Sequence, residues 1–139
     1  MPSRSRANTR PHPRQTGTLA QLRSIALTVA RKLGAGHREA VYQRAFVVEL
    51  SNRGIPSQTE VPVPFFLRGM CVGHGRADIV TKSHIIELKS RKGTPAILRG
   101  ARLQVQRYLA AMHKAGGRRR RGVLIFFDPD TASALVETA

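Results

Sequence analysis

Three residues in the stretch RADIVTKSHIIELKS, at positions 76–90, have the types and spacing to do chemistry: Asp78, Glu87 and Lys89. The segments flanking Lys82-Ser83 read as two strands joined by a two-residue hairpin loop, and counting back along both strands brings Asp78 opposite Glu87. Directly opposed side chains have Cβ atoms roughly 5 Å apart, where two carboxylates repel. A divalent cation removes that conflict. Lys89 lies two residues after Glu87 and points to the same face, while Ile86 and Leu88 point to the other. Oxygen ligation with few protein carboxylates suits Mg²⁺ or Mn²⁺, which keep several waters and accept phosphate oxygens. An ammonium group beside such a site would orient a water or neutralise charge building on a phosphate, and the chemistry is then phosphodiester hydrolysis. On spacing alone, a cross-strand salt-bridge cluster on a solvated face is an equal reading of the same three residues.

The elements that must position these residues are legible around them. Leu19, Leu22, Ala26, Val29 and Leu33 recur at helical spacing between Thr18, a cap, and Gly34, a stop. A second helix covers 37–53 and ends at Gly54; its apolar residues occur on nearly every side, which predicts burial all round. Gln58 to Leu67 alternates as a strand, and Pro62 and Pro64 assign it to a sheet edge. Strands follow over Met70 to Thr81 and His84 to Ser90, then a helix from Pro95 to about Ala115, a strand from Gly122 to Phe127, and a short final strand in SALVET. The order is ααβββαβ with one further β. Residues 1–17 carry four arginines, no acid and no hydrophobic period, and read as a disordered basic arm before a domain over 18–139.

Composition bounds the partners. The 139 residues include 24 Lys or Arg against 8 Asp or Glu, a formal charge of +16, which points to a polyanion and most simply to nucleic acid. From Lys82 to Arg121 the only acid is Glu87. The apolar runs are too short for a membrane span, and the N-terminus has no secretory pattern, so an intracellular protein without membrane attachment is expected. A single cysteine, Cys71, excludes an intrachain disulfide and a multi-cysteine zinc site. The histidines at 12, 37, 74, 84 and 113 show no zinc pairing and read as exposed or loop residues, His74 alone falling near the cleft, and Phe65, Phe66, Phe126 and Phe127 read as core rather than as base-stacking platforms.

The segment GHREAVY, with Gly36, Glu39 and Tyr42, resembles the signature of the GxxExxY family of the PD-(D/E)XK nuclease superfamily. The RGIP turn, VPVPFF, the RADIV strand, IIELKS, the QxxxYL stretch and a closing apolar strand follow in that family's order over most of 19–128. The resemblance implies an α/β restriction-endonuclease-like core, a mixed β-sheet flanked by helices. It also implies a Mg²⁺- or Mn²⁺-dependent nuclease in which Asp78 and Glu87 bind the metal and Lys89 acts at the nucleophilic water. Glu39 is then the additional helical carboxylate and a metal ligand, and Gln104 the polar residue of the helix after the active strand. Superfamily members often dimerise, although no homodimer interface is legible here. The chain departs from the family at Gly75, where relatives place an aromatic, and this leaves the wall beside Asp78 undefined.

Periodicity supports two of these positions independently. Glu39 shares a helical stripe with Tyr42, Phe46 and Leu50, and Gln104 falls in the middle of a stripe of Ile97, Ala101, Tyr108 and Met112, so both are expected to point inward and to need partners. Arg76 shares a strand face with Asp78, to pair with it or with phosphate. Arg76, Arg91, Lys92 and the block Arg118, Arg119, Arg120 and Arg121 are the candidate nucleic-acid contacts, the block lying in a Gly-flanked loop with no core to serve. The rival to a nuclease on DNA or RNA is a non-catalytic basic packaging protein that retains the fold.

Overall fold

The computed structural model describes residues 17–139, so the basic arm, apart from Gly17, lies outside the described residues. Helix α1 (Leu19–Leu33) starts on a reciprocal cap in which the Gln21 amide donates to Thr18 Oγ1 at 3.2 Å and the Thr18 amide donates to Gln21 Oε1 at 2.9 Å. Helix α2 (Glu39–Asn52) is followed by β1 (Ser57–Leu67), β2 (Met70–Thr81) and β3 (His84–Lys89). Helix α3 (Pro95–Lys114), opened by proline at its first turn, leads to β4 (Arg121–Phe127) and β5 (Ala134–Thr138). The five strands lie side by side in chain order, and only β3 and β4 run parallel, because α3 carries the chain back across the sheet between them. β1 is at the edge, as its prolines require.

Two cores make this an α/β/α sandwich with the restriction-endonuclease-like arrangement. On one face α1 and α2 bury Leu22, Ile25, Tyr42 and Phe46 against Ile86, Leu88, Ile125 and Phe127. On the other, α3 packs Ala101, Val105 and Tyr108 against Val63, Ile85, Leu124 and Phe126. Among the described residues no helix is long and apolar enough to cross a membrane.

Four expectations are corrected. α2 is buried along the single row Tyr42, Phe46 and Leu50, and Val48 on its back is 65% exposed, because one helix face suffices to cover α1 and the sheet. The centre of the α3 stripe is Val105, which places Gln104 at its half-buried margin. His84 is buried at the start of β3, where Ser83 Oγ lies 2.7 Å from its Nδ1; burial, then nearby Arg121, lowers the pKa of the ring. Phe66 is 55% exposed, because β1 shifts register between Phe65 and Phe66 as the β1–β2 hairpin runs out beyond the core.

Candidate active site

Regular pairing between β2 and β3 ends one residue short of the carboxylates, at Ile79 opposite Ile86. Beyond it side chains replace the backbone acceptors: the Asp78 amide donates to Glu87 Oε1 at 3.2 Å, and the Leu88 amide donates to Asp78 Oδ2 at 2.9 Å. The two carboxylates thus meet where the strands part. The inside-outside alternation of β2 slips at the same point, since Ala77 and Val80 both pack on the α3 side while Ile79 packs toward α1 and α2. Across the other edge of β2, Glu60 interrupts the pairing between Thr59 and Val61 with a left-handed φ of 54°. A cleft of about 910 Å³ opens here between α2 and α3, and it is lined by Asp78, Glu87, Lys89, Glu39, Gln104 and Arg76, among others.

Glu87 is only 2% exposed, and its pKa is pushed up to about 8 by burial first and by the Asp78 charge second, against the amide bond it accepts and the charge of Lys89. Glu39 is half-buried at the first residue of α2. Burial raises its carboxyl and Asp78 adds to the rise, while Lys89 and the backbone amide of Ser90 pull it down. The helix that presents Glu39 is anchored by Tyr42, whose ring stacks on Phe127 with centroids 4.2 Å apart and whose hydroxyl donates to the Gly34 carbonyl at 2.8 Å. Ser90 Oγ donates to the His37 carbonyl at 2.7 Å, which ties the end of β3 to the same segment. These contacts give the GHREAVY segment a physical role: its tyrosine fixes the helix start that aims its glutamate into the cleft.

The wall left open at Gly75 is supplied from α3. A Cβ at Gly75 would collide with the Tyr108 ring, so that ring occupies the space a larger residue at 75 would need. The Tyr108 hydroxyl accepts from Gln104 Nε2 at 2.9 Å and from the Arg76 amide at 3.3 Å, which holds Gln104 at the cleft margin.

Arg76 pairs with Glu60, Nε to Oε2 2.8 Å, rather than with Asp78, because Glu60 is the carboxylate across the β1–β2 pair that its side chain reaches. Lys92 pairs with Asp130 at 3.3 Å, and Arg91 is exposed beside it in the loop after β3. Arg118 to Arg121 lie at the other end of the parallel pair, where Arg121 faces His84 while Lys89 faces Phe126. Arg120 is not a free side chain, since its Nε donates to the Thr81 carbonyl at 2.8 Å. Two cleft residues escaped the sequence reading. Gln43, whose Nε2 donates to the Asp78 carbonyl at 2.9 Å, sits one helical turn after Glu39, and that spacing was a usable signal. Glu60 gave none, because it reaches the cleft only through the irregular backbone opposite Asp78.

With this geometry in place, the match of residues 17–137 to a family model described as the PD-(D/E)XK nuclease superfamily establishes that the chain belongs to that superfamily. No match was found among curated proteins or among solved structures. The superfamily's activity is cleavage of nucleic acid, typically with a divalent metal. The residues fit such an ion: the buried Glu87 and the half-buried Asp78 are adjoining carboxylates in an open cleft, and a cation is the natural remedy for their repulsion. Among the described residues no three His, Cys, Asp or Glu side chains converge as a ready-made cluster, which leaves Asp78 and Glu87 as a pair. That sparse set matches a cation that keeps several waters.

Proposed function

We propose that the protein is a Mg²⁺- or Mn²⁺-dependent nuclease that hydrolyses DNA, and that within its superfamily it belongs to the GxxExxY group. The observation that carries the reading is the meeting of Asp78 and Glu87 at the point where β2 leaves β3, in a cleft also lined by Lys89. Asp78 and Glu87 would hold the cation, with Glu39 at the start of α2 as the further carboxylate. The cation, when bound, polarises the scissile phosphate and offsets its charge. Lys89 orients the attacking water and places a positive charge beside the phosphate oxygens. Gln104, held by Tyr108, donates toward the substrate backbone. Arg76 exchanges Glu60 for phosphate as substrate enters, a low-cost exchange because their ion pair is exposed.

The test separates chemistry from binding. Supercoiled, linear, single-stranded and branched DNA are incubated with Mg²⁺, with EDTA as the control. Asp78→Ala, Glu87→Ala and Lys89→Ala should each abolish cleavage while leaving DNA affinity unchanged or, for the two carboxylates, slightly raised. Affinity lost in step with activity would mean that these residues hold the fold. Metal-independent binding by the wild type without any cleavage would favour the packaging reading instead.

A further inference from the structure

A second concavity, of about 760 Å³, lies along α3 from the cleft, between the outer half of the β1–β2 hairpin and the C-terminal half of the helix. Its floor is apolar, formed by Phe65, Phe66 and Ala111, and its rim carries Arg68, Arg107 and Lys114 with no acidic side chain. The hairpin beyond it is unusually apolar for a surface: Met70 is 70% exposed, and Leu67 and Val72 are also bare. An exposed apolar patch of this kind calls for a partner. Two features of the structure say which. The groove adjoins the active cleft, because Phe65 on its floor packs against Tyr108 with centroids 6.2 Å apart, and Tyr108 is the wall of the cleft. Its rim is wholly cationic on a chain of charge +16.

A flat apolar face joined to a phosphate is the chemistry that fits an open aromatic ring bordered by three cations. In a continuous duplex the base faces are stacked on one another and cannot reach Phe66. We propose that this groove receives an unpaired nucleobase next to the bond being cut, stacked on Phe66, with Arg107 and Lys114 on the adjoining phosphates. The substrate class is then single-stranded DNA or a junction with a single-stranded arm. The inference rests on the nuclease reading above and narrows it. Phe66 is four residues along β1 from Pro62, which lines the cleft, or about 13 Å at the rise of a strand, so the stacked base lies close to the cut.

The experiment is equilibrium binding of the full chain in EDTA, so that cleavage plays no part, to a single-stranded oligonucleotide and to the matching blunt duplex. Phe66→Ala should weaken single-strand binding about tenfold and leave duplex binding unchanged, while Phe66→Tyr, which keeps a stacking ring, should retain the wild-type affinity. Replacing Arg107 and Lys114 together with Ser should flatten the slope of log K against log salt on the single strand by about 1.4, at ~0.7 per contact. A 2-aminopurine stepped along the oligonucleotide should be quenched at one position by the wild type and not by Phe66→Ala. Equal loss on both substrates, or none on either, overturns the proposal. So does a concentration-dependent dimer that Phe66→Ala dissociates with single-strand affinity unchanged, since the occupant would then be a second copy of the chain. The two readings fail separately: selective loss of single-strand binding in a protein that cleaves nothing keeps the subsite and removes the nuclease, whereas cleavage of blunt duplex indifferent to Phe66 does the reverse.

Discussion

Glu87 concentrates the electrostatics of this protein in one side chain. It is buried, faces Asp78, lies near Lys89, and has its proton affinity raised until its pKa stands at about 8 against an ordinary 4.5. Between those two values the folded chain holds a proton that the unfolded chain has released, so this group's contribution to stability falls as pH climbs through the window. Glu87→Gln removes the titration and keeps the size. In EDTA its melting temperature should therefore change less with pH than the wild type's, and should overtake it by several degrees between about pH 5 and about pH 9. Melts that run parallel across that range would show that the carboxylate is not under strain. The neighbouring charges that set the shift are Asp78 and Lys89, so the same melts on Lys89→Met should show the fall for the wild-type glutamate extending to higher pH, because a charge that favoured the carboxylate is lost.

At the scale of elements, the cleft exists because two strands separate and two helices fill the ends of the gap. α2 supplies Glu39 and Gln43, the second of which holds the Asp78 carbonyl after the ladder has ended. α3 supplies the wall through Tyr108, and that ring requires Gly75 to remain without a side chain. Gly75→Ala should cost about 1 to 3 kcal/mol of stability through overpacking. In a Tyr108→Ala background most of that cost should vanish, although Tyr108→Ala is itself destabilising. Urea midpoints of the four variants give the coupling directly, and simple additivity would mean that the ring and the glycine do not share the space.

Over the whole molecule the two signs of charge are sorted. Four of the eight acids, Glu39, Glu60, Asp78 and Glu87, line the one cleft, while α3 and the arginine block after it carry eight of the 24 Lys and Arg and no acid. The arginine block lies at the far end of the β3–β4 pair from Lys89, and Arg119, Arg120 and Arg121 line a cavity separate from the cleft. Because Arg120 is committed to the Thr81 carbonyl, Arg118, Arg119 and Arg121 are the three to replace. Their triple Ser variant should flatten the slope of log K against log salt by about 2.7 on duplex DNA, at ~0.9 per contact, with base preference unaltered. Unchanged slopes would place the block outside the path.

Local pattern in the chain already carries the order of elements, the two-residue hairpin and its register, the edge position of the proline-bearing strand, and therefore which acids meet. Each of these follows from local causes: alternation, helical spacing, turn residues and the missing amide of proline. Glu39 was readable because a carboxylate in an apolar helical stripe must face something polar. The remaining features arise from packing between elements. The parting of β2 from β3 at Asp78 leaves no mark in either strand's own pattern, and neither does the left-handed backbone at Glu60 in β1, which lies across β2 and brings that side chain to the cleft and to Arg76. The filling of Gly75's space by Tyr108 joins residues 33 apart in number from opposite layers of one face. Phe66 has the residue type of a core position, and only the reach of the hairpin past α3 makes it a surface, since burial depends on what other elements cover rather than on the side chain itself.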